Sequence, residues 1–248
     1  MLENTVVLIT GASSGIGLAC AELFAKAGAK LILCARKTEK LRENFKSQAY
    51  VIELDIKDQS EVKKQLSLIP DNFKPIHILI NNAGLAAGLD LIQDADTQDW
   101  EEMIDTNMKG LLYVTRAILP NMVVNNIGHI INIGSISGHA VYAKGVVYCA
   151  TKYAVKAISE GLRHDLLGTK IRVSEIDPGA VETNFSVVRF KGDKKRASSV
   201  YEGFDPLTAR DIADAVLYCA TRPSHVNVSQ MIITPTDQVS VNVIAKKH

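Results

Sequence analysis

The stretch TVVLITGASSGIGLACAELFAKAGA, residues 5–29, changes its periodicity partway along. TVVLIT (5–10) is a near-continuous apolar run, the pattern of a strand buried on both faces. From Gly17 the apolar residues Leu18, Ala21, Leu23 and Phe24 follow helical spacing, and Gly28 stands where a helix would end. Between strand and helix lies TGASSGIG (10–17), with glycines at 11, 15 and 17. A glycine turn that opens a helix can cradle phosphate: the backbone approaches closely and the helix dipole presents its positive end. Here Gly11, Ser13, Ser14, Gly15, Ile16 and Gly17 would form that cradle. The spacing is GxxxGxG and not GxGxxG, and a tight turn with no ligand would look the same on this stretch alone.

Outward from this unit the alternation continues. Strands are expected at 30–35, 50–55, 76–84, 128–135, 170–179 and 230–234. Helices are expected from about 39, over about 60–69, 97–126, 146–167 and 208–221. Strand and helix in unbroken turn imply right-handed crossovers: an α/β Rossmann-type domain, residues 1–248, with a seven-stranded doubly wound parallel sheet covered by helices on both faces. Only residues 182–206 break the rhythm. A connection that long without periodicity predicts a lid or binding loop.

Composition narrows the function classes. The chain is 47% hydrophobic and 22% charged, with a net charge of +1, so no overall field would draw it to nucleic acid or an anionic membrane. No apolar run has the length of a membrane span, and the N-terminal segment lacks the basic start of a signal peptide. Cys20, Cys34, Cys149 and Cys219 are widely spaced and read as thiols of a reducing compartment, and the scattered histidines offer no zinc-binding spacing. The expectation is a cytoplasmic, metal-free protein.

The second strand ends in LCARK, Leu33–Lys37. A carboxylate about twenty residues past a phosphate turn suits the ribose hydroxyl of NAD, whereas an arginine suits the 2′-phosphate of NADP. Arg36 occupies that place and no carboxylate does, which favours NADP(H).

In VVYCATKYAV (146–155), Tyr148 precedes Lys152 by four residues, so both share one helical face. Taken alone, that could be a tyrosine packed on a lysine stem. Together with TGASSGIG (10–17), NNAG (81–84), DTNMKG (105–110), INIGSISG (131–138) and DPG (177–179), the pair resembles the short-chain dehydrogenase/reductase family over essentially the whole chain. GxxxGxG is that family's form of the glycine turn.

The resemblance implies a catalytic tetrad of Asn107, Ser135, Tyr148 and Lys152. Tyr148 would exchange the proton at the substrate oxygen, Ser135 would hydrogen-bond that oxygen, and Asn107 would hold a water linking Lys152 to solvent. An unperturbed tyrosine, with a pKa near 10, is a poor base at neutral pH. An ammonium about 5 Å away is worth about 3 kcal/mol at an effective dielectric of about 20, roughly two pKa units. The positive ring of NADP⁺ would supply the rest in oxidation. The resemblance also places Asp55 at the adenine, and Asn81, Ala83 and Gly84 on the ribose side. Pro178, Gly179, Val181 and Thr183 fall by the nicotinamide.

The lid holds Arg189, Lys191, Lys194, Lys195 and Arg196, a concentration of cations that suggests an anionic substrate. The run Lys194–Arg196 also fits a solvated loop, and Arg189, between Val188 and Phe190, is the candidate carboxylate clamp. The pieces ETNFSVVRFKGD (182–193), YEGFDPLTARDIADAV (201–216) and TPTDQVSVNV (234–243) resemble the NADP-dependent 3-hydroxy acid dehydrogenases of that family. This implies oxidation of a serine- or 3-hydroxypropionate-like acid, or reduction of a 3-oxo acid, in a homotetramer. The rivals are a 3-oxoacyl carrier-protein reductase or general carbonyl reductase and, from another class, a non-catalytic NADP-binding protein.

Overall fold

The structure, a computed structural model, describes residues 2–246. Strands β1 (Val6–Thr10), β2 (Lys30–Ala35), β3 (Ala49–Glu53), β4 (Ile78–Asn81), β5 (Gly128–Ile133) and β6 (Ile171–Pro178) alternate with helices α1 (Gly15–Lys26), α2 (Glu39–Phe45), α3 (Gln59–Ser67), α4 (Thr97–Ile104), α5 (Leu111–Asn125) and α6 (Val146–Asp165). After β6 come the short strand β7 (Val181–Glu182), helices α7 (Phe185–Arg189) and α8 (Lys194–Ser199), then β8 (Leu207–Thr208), α9 (Ala209–Ala220) and β9 (Gln230–Ile233). The large sheet is entirely parallel, in the order β3-β2-β1-β4-β5-β6-β9.

Strand β1 shows why the opening run had to be apolar. Val7 and Ile9 enter one core with Phe24 of α1 and Val216 of α9. Val6 and Leu8 enter the other with Leu66 of α3 and Val114 of α5. Alternate side chains point to opposite faces, and helices cover both. The chain winds outward from β1 in one direction to β2 and β3, then resumes beside β1 with β4. The strand order reverses there, and an open α/β sheet has its binding crevice at that point, beyond the carboxyl ends of the strands.

Two expectations change in detail. The helical pattern at 97–126 is not one α-helix: Asp105–Gly110 form a turn of π-helix between α4 and α5, with Thr106, Asn107 and Gly110 buried. Such wide turns concentrate at functional sites, and this one carries Asn107. Residues 182–206 are not structureless either. They hold α7 and α8, and the β7–β8 pair closes the segment at its base. Helices of five and six residues are too short to display a period in the sequence.

Candidate active site

A cavity of about 1250 Å³ lies beyond the ends of β1, β2, β4 and β5. Gly11, Ser13, Ser14, Gly15 and Ile16 line one end, with Arg36, Lys37, Lys40 and Asp55. At the other end are Ser135, Tyr148, Lys152, Tyr142 and Arg189. Ala83, Gly84, Pro178, Gly179, Val181 and Thr183 border the space between.

The glycine turn is shaped by close approach. Gly11 has φ +65°, and a Cβ there would stand 2.9 Å from both Ala83 Cα and Asn82 Nδ2. A Cβ on Gly17 would collide with the Gly11 carbonyl and the Asn82 amide. Gly17 therefore packs helix on strand and does not border the cavity. The N-terminus of α1 has no side-chain cap and no acidic residue in its first turn. By contrast α3, α4 and α9 are capped by Asp58, Asp96 and Thr208. An uncapped helix start lined by glycine backbone, with the exposed Arg36 guanidinium at the cavity's edge, fits a dinucleotide carrying an extra phosphate.

Asn81 departs from expectation. Its Nδ2 donates to Thr115 Oγ1 at 3.0 Å and to Asn132 Oδ1 at 2.9 Å, beneath the sheet and away from the cavity. Strand alternation turns Asn81 inward and leaves the wall to Asn82, whose amide donates to the Thr10 and Gly11 carbonyls at 2.9 and 3.2 Å. Nothing in NNAG distinguishes the two residues before the strand's facing is known. Asp55 lies in the wall, with Oδ1 accepting the Lys57 main-chain N–H at 3.0 Å.

The four tetrad positions come from three places, the π-turn, the end of β5 and α6, and they converge. Asn107 is buried in the π-turn. Its Oδ1 accepts from Leu85 N at 2.8 Å, while Nδ2 donates to Leu85 O at 2.8 Å and Thr151 Oγ1 at 3.1 Å. A Cβ on Gly84 would lie 3.2 Å from Asn107 Oδ1 and 3.8 Å from Lys152 Nζ, so the two groups border one small gap. Ser135, past the end of β5, accepts the Ser137 N–H at 3.0 Å through its Oγ and lines the cavity with Tyr148. Lys152 is buried and donates to Ile133 O at 2.9 Å.

The electrostatics differ from the simple pair that the sequence suggested. Lys152 Nζ stands 5.9 Å from the Tyr148 ring centroid, but the Arg189 guanidinium is closer, at 5.0 Å. Burial raises the Tyr148 pKa above the ordinary tyrosine value, and Arg189 is the largest influence opposing it, followed by Ser135. Burial pushes Lys152 itself down to about 8. In the protein as it stands Tyr148 is a phenol at neutral pH, ready to donate a proton.

Of the lid cations, Arg189 alone reaches the cavity. Lys191 is spent on Asp99 at 3.0 Å and Asp96 at 3.6 Å, and Arg196 stacks on Phe190 at 4.3 Å. Lys194 and Lys195 are exposed on α8. Arg189 lies over the rings of Tyr142, Tyr148 and Phe185 and donates to Tyr142 Oη at 2.8 Å. Its Nε is buried with no partner, and among the described residues it has no ion pair. A buried unpaired donor costs about 1–3 kcal/mol, and a carboxylate is the acceptor best matched to a guanidinium edge. Tyr142 and Phe185 were not foreseen; only their proximity to Tyr148 and Arg189 could have drawn attention to them.

Known proteins resemble the chain along almost its whole length. An NADP-dependent 3-hydroxy acid dehydrogenase of Salmonella typhi is 45% identical over 237 residues, covering 94% of this chain and 96% of its own. The fission yeast Schizosaccharomyces pombe has an NADP-dependent 3-hydroxy acid dehydrogenase 41% identical, covering 100% and 98%. The closed form of a serine dehydrogenase complexed with NADP⁺ superposes with a TM-score of 0.94 at 42% identity, covering 98% of this chain and 100% of that one. The short chain dehydrogenase model matches residues 5–194, and the chain belongs to that family.

Proposed function

We propose that the protein is an NADP(H)-dependent oxidoreductase that interconverts a small 3-hydroxy acid, of the serine or 3-hydroxypropionate type, with the corresponding 3-oxo acid. The observation that carries the substrate class is Arg189. A guanidinium with an unpaired buried Nε and no ion pair lies 5.0 Å from the ring of the tyrosine at the centre of the site. Relatives named for NADP and 3-hydroxy acids support the same reading.

The glycine turn and the N-terminus of α1 would hold the pyrophosphate, and Arg36 would take the 2′-phosphate. When bound there, the dinucleotide would supply or accept the hydride. Arg189 holds the substrate carboxylate, which sets the hydroxyl-bearing carbon in line with Tyr148. Ser135 hydrogen-bonds the substrate oxygen, and Tyr148 gives that oxygen a proton in reduction or removes it in oxidation. Burial favours the phenol, so donation is the easier direction at neutral pH. The Lys152 ammonium favours the tyrosinate when oxidation demands it, and its charge is present below about pH 8 and lost above. Asn107 clamps the Leu85 backbone, and the second lone pair of its Oδ1 borders the gap beside Lys152, where a water can pass protons. The protein works in the cytoplasm as a homotetramer; exposed apolar side chains on α5 and α6, among them Leu112, Val123, Val124 and Tyr153, support an assembly of subunits.

The test is NADP⁺ reduction with L-serine, D-serine, 3-hydroxypropionate, 3-hydroxybutyrate and a neutral secondary alcohol, each repeated with NAD⁺. Turnover of the carboxylates with NADP⁺ is expected. Tyr148→Phe should lose at least about a thousandfold in kcat while still binding NADPH. Near-normal turnover by that variant, or activity on the neutral alcohol alone, would overturn the reading.

A further inference from the structure

Strand β6 carries two carboxyl groups two residues apart, Glu175 and Asp177, so both face the same side of the sheet. They are 1% and 0% exposed, and neither borders the cavity. Asp177 is fully engaged. Its Oδ1 accepts the Ser135 main-chain N–H at 3.0 Å, and its Oδ2 accepts from His139 Nε2 at 2.9 Å and Gln230 Nε2 at 2.8 Å. Lys156 Nζ, 3.5 Å from His139 Nδ1, faces the other ring nitrogen, which assigns the ring proton to Nε2.

Glu175 has the opposite surroundings. No donor reaches either of its carboxyl oxygens. Its neighbour is Asp177, and the two carboxyls crowd the same point above Gly134, where a Cβ would collide with Asp177 Oδ1 and stand 2.8 Å from Glu175 Oε1. A carboxylate without donors in a dry interior is strongly disfavoured, whereas a carboxylic acid can give its O–H to the adjacent carboxylate. Burial, and then the Asp177 charge, push Glu175 up to about 8, so it holds a proton at neutral pH. Asp177, with three donors around it, is the member of the pair built to hold a negative charge.

That charge faces a cationic side of α6. Lys152, Lys156 and Arg163 come from this helix, His139 comes from the loop after β5, and β9 contributes only the Gln230 amide. Lys152 is the buried one, tied to the carbonyl of Ile133 next to Gly134. Asp177 opposes the burial that drives its proton off.

We propose that Asp177 is a positioning residue of the reaction: it holds Ser135 through its main-chain N–H and stands behind Lys152 as its buried counter-charge. One carboxylate outside the cavity thus couples two members of the site, the group that hydrogen-bonds the substrate oxygen and the ammonium that tunes Tyr148. This rests on the roles given to Ser135 and Lys152 above.

The experiment uses the full chain with Asp177→Asn and Glu175→Gln, following kcat/KM for oxidation against pH, NADPH binding, and the infrared spectrum at pH 7. In Asp177→Asn the amide oxygen still accepts the Ser135 N–H, but the charge is gone. The alkaline limb of the profile should move about one unit lower, with about a fivefold loss at pH 8 and NADPH affinity within about threefold. The wild type should show a protonated-carboxyl C=O stretch at pH 7 that Glu175→Gln lacks, while kcat/KM of that variant at and below pH 7, where Glu175 is neutral, stays near the wild-type value. The proposal is overturned by an unmoved limb in Asp177→Asn, by absence of the carboxyl band in the wild type, or by a large loss in Glu175→Gln at pH 7. If Asp177→Asn no longer binds NADPH, the infrared band and the Glu175→Gln profile still decide. Failure of the underlying tetrad shows elsewhere, as turnover by Tyr148→Phe.

Discussion

The glycine turn at 10–17 and the lid at 182–206 border the same cavity but are built by different means. Backbone shapes the turn: Gly11 and Gly17 leave no room for a Cβ, and Thr10 Oγ1 accepts the main-chain N–H groups of Asn82 and Ala83 at 3.1 and 3.0 Å. The lid is joined to the body by a few attachments around its tip. Gly88 N donates to Arg189 O at 3.0 Å, Arg189 reaches Tyr142 at 2.8 Å, and Lys191 pairs with Asp99 at 3.0 Å. The comparison teaches that the cofactor end is preorganised by chain geometry. The substrate end depends on side chains that must find partners across the fold.

Four substitutions would break or sharpen this contrast. The largest effect should come from Gly17→Ala, whose new methyl meets the Gly11 carbonyl and the Asn82 amide. About 3 kcal/mol of overpacking would lower the melting temperature by about 6–12 °C and all but abolish NADPH binding. A wild-type melting curve with intact binding would mean that the turn is not held as described. Next is Arg189→Ala, for which steady-state kinetics should give about a hundredfold loss in kcat/KM for hydroxy acids and less than about fivefold for a neutral alcohol. Equal losses would deny the clamp. Arg36→Ala should weaken NADPH by about tenfold and leave NADH nearly unchanged in a fluorescence titration, because a solvent-exposed charge pair is partly screened. The smallest change is expected for Lys191→Ala, about twofold in KM with no shift in melting temperature, since its pair with Asp99 leaves the lysine side chain 60% exposed. A tenfold effect there would make the lid latch a determinant of catalysis and narrow the contrast.

Much of the site was legible because its signals are local. The i,i+4 spacing of Tyr148 and Lys152 needs only a helix, and the glycine turn needs only a strand before it and a helix after it. Asn81 was misread for a related reason. In a strand covered on both faces, neighbouring positions are equally apolar or polar in pattern, so nothing local says which of Asn81 and Asn82 turns toward the cavity. The lid cations were indistinguishable as a run, and they separate only when Asp96, Asp99 and Phe190 are seen to engage Lys191 and Arg196.

Sequence by itself determined the alternation of strand and helix, the glycine turn between β1 and α1, the basic residue after β2 and the i,i+4 placing of Tyr148 and Lys152, because each depends on spacing within a short segment or on a residue type at a strand end. Tertiary structure alone decided which groups are dry and what faces them. It brought Arg189 closer to Tyr148 than Lys152 is, drove Lys152 down to about 8, and enclosed Glu175 against Asp177. Proton affinity follows burial and neighbouring charge, and both are set by segments far apart in the chain that meet only when the sheet is assembled.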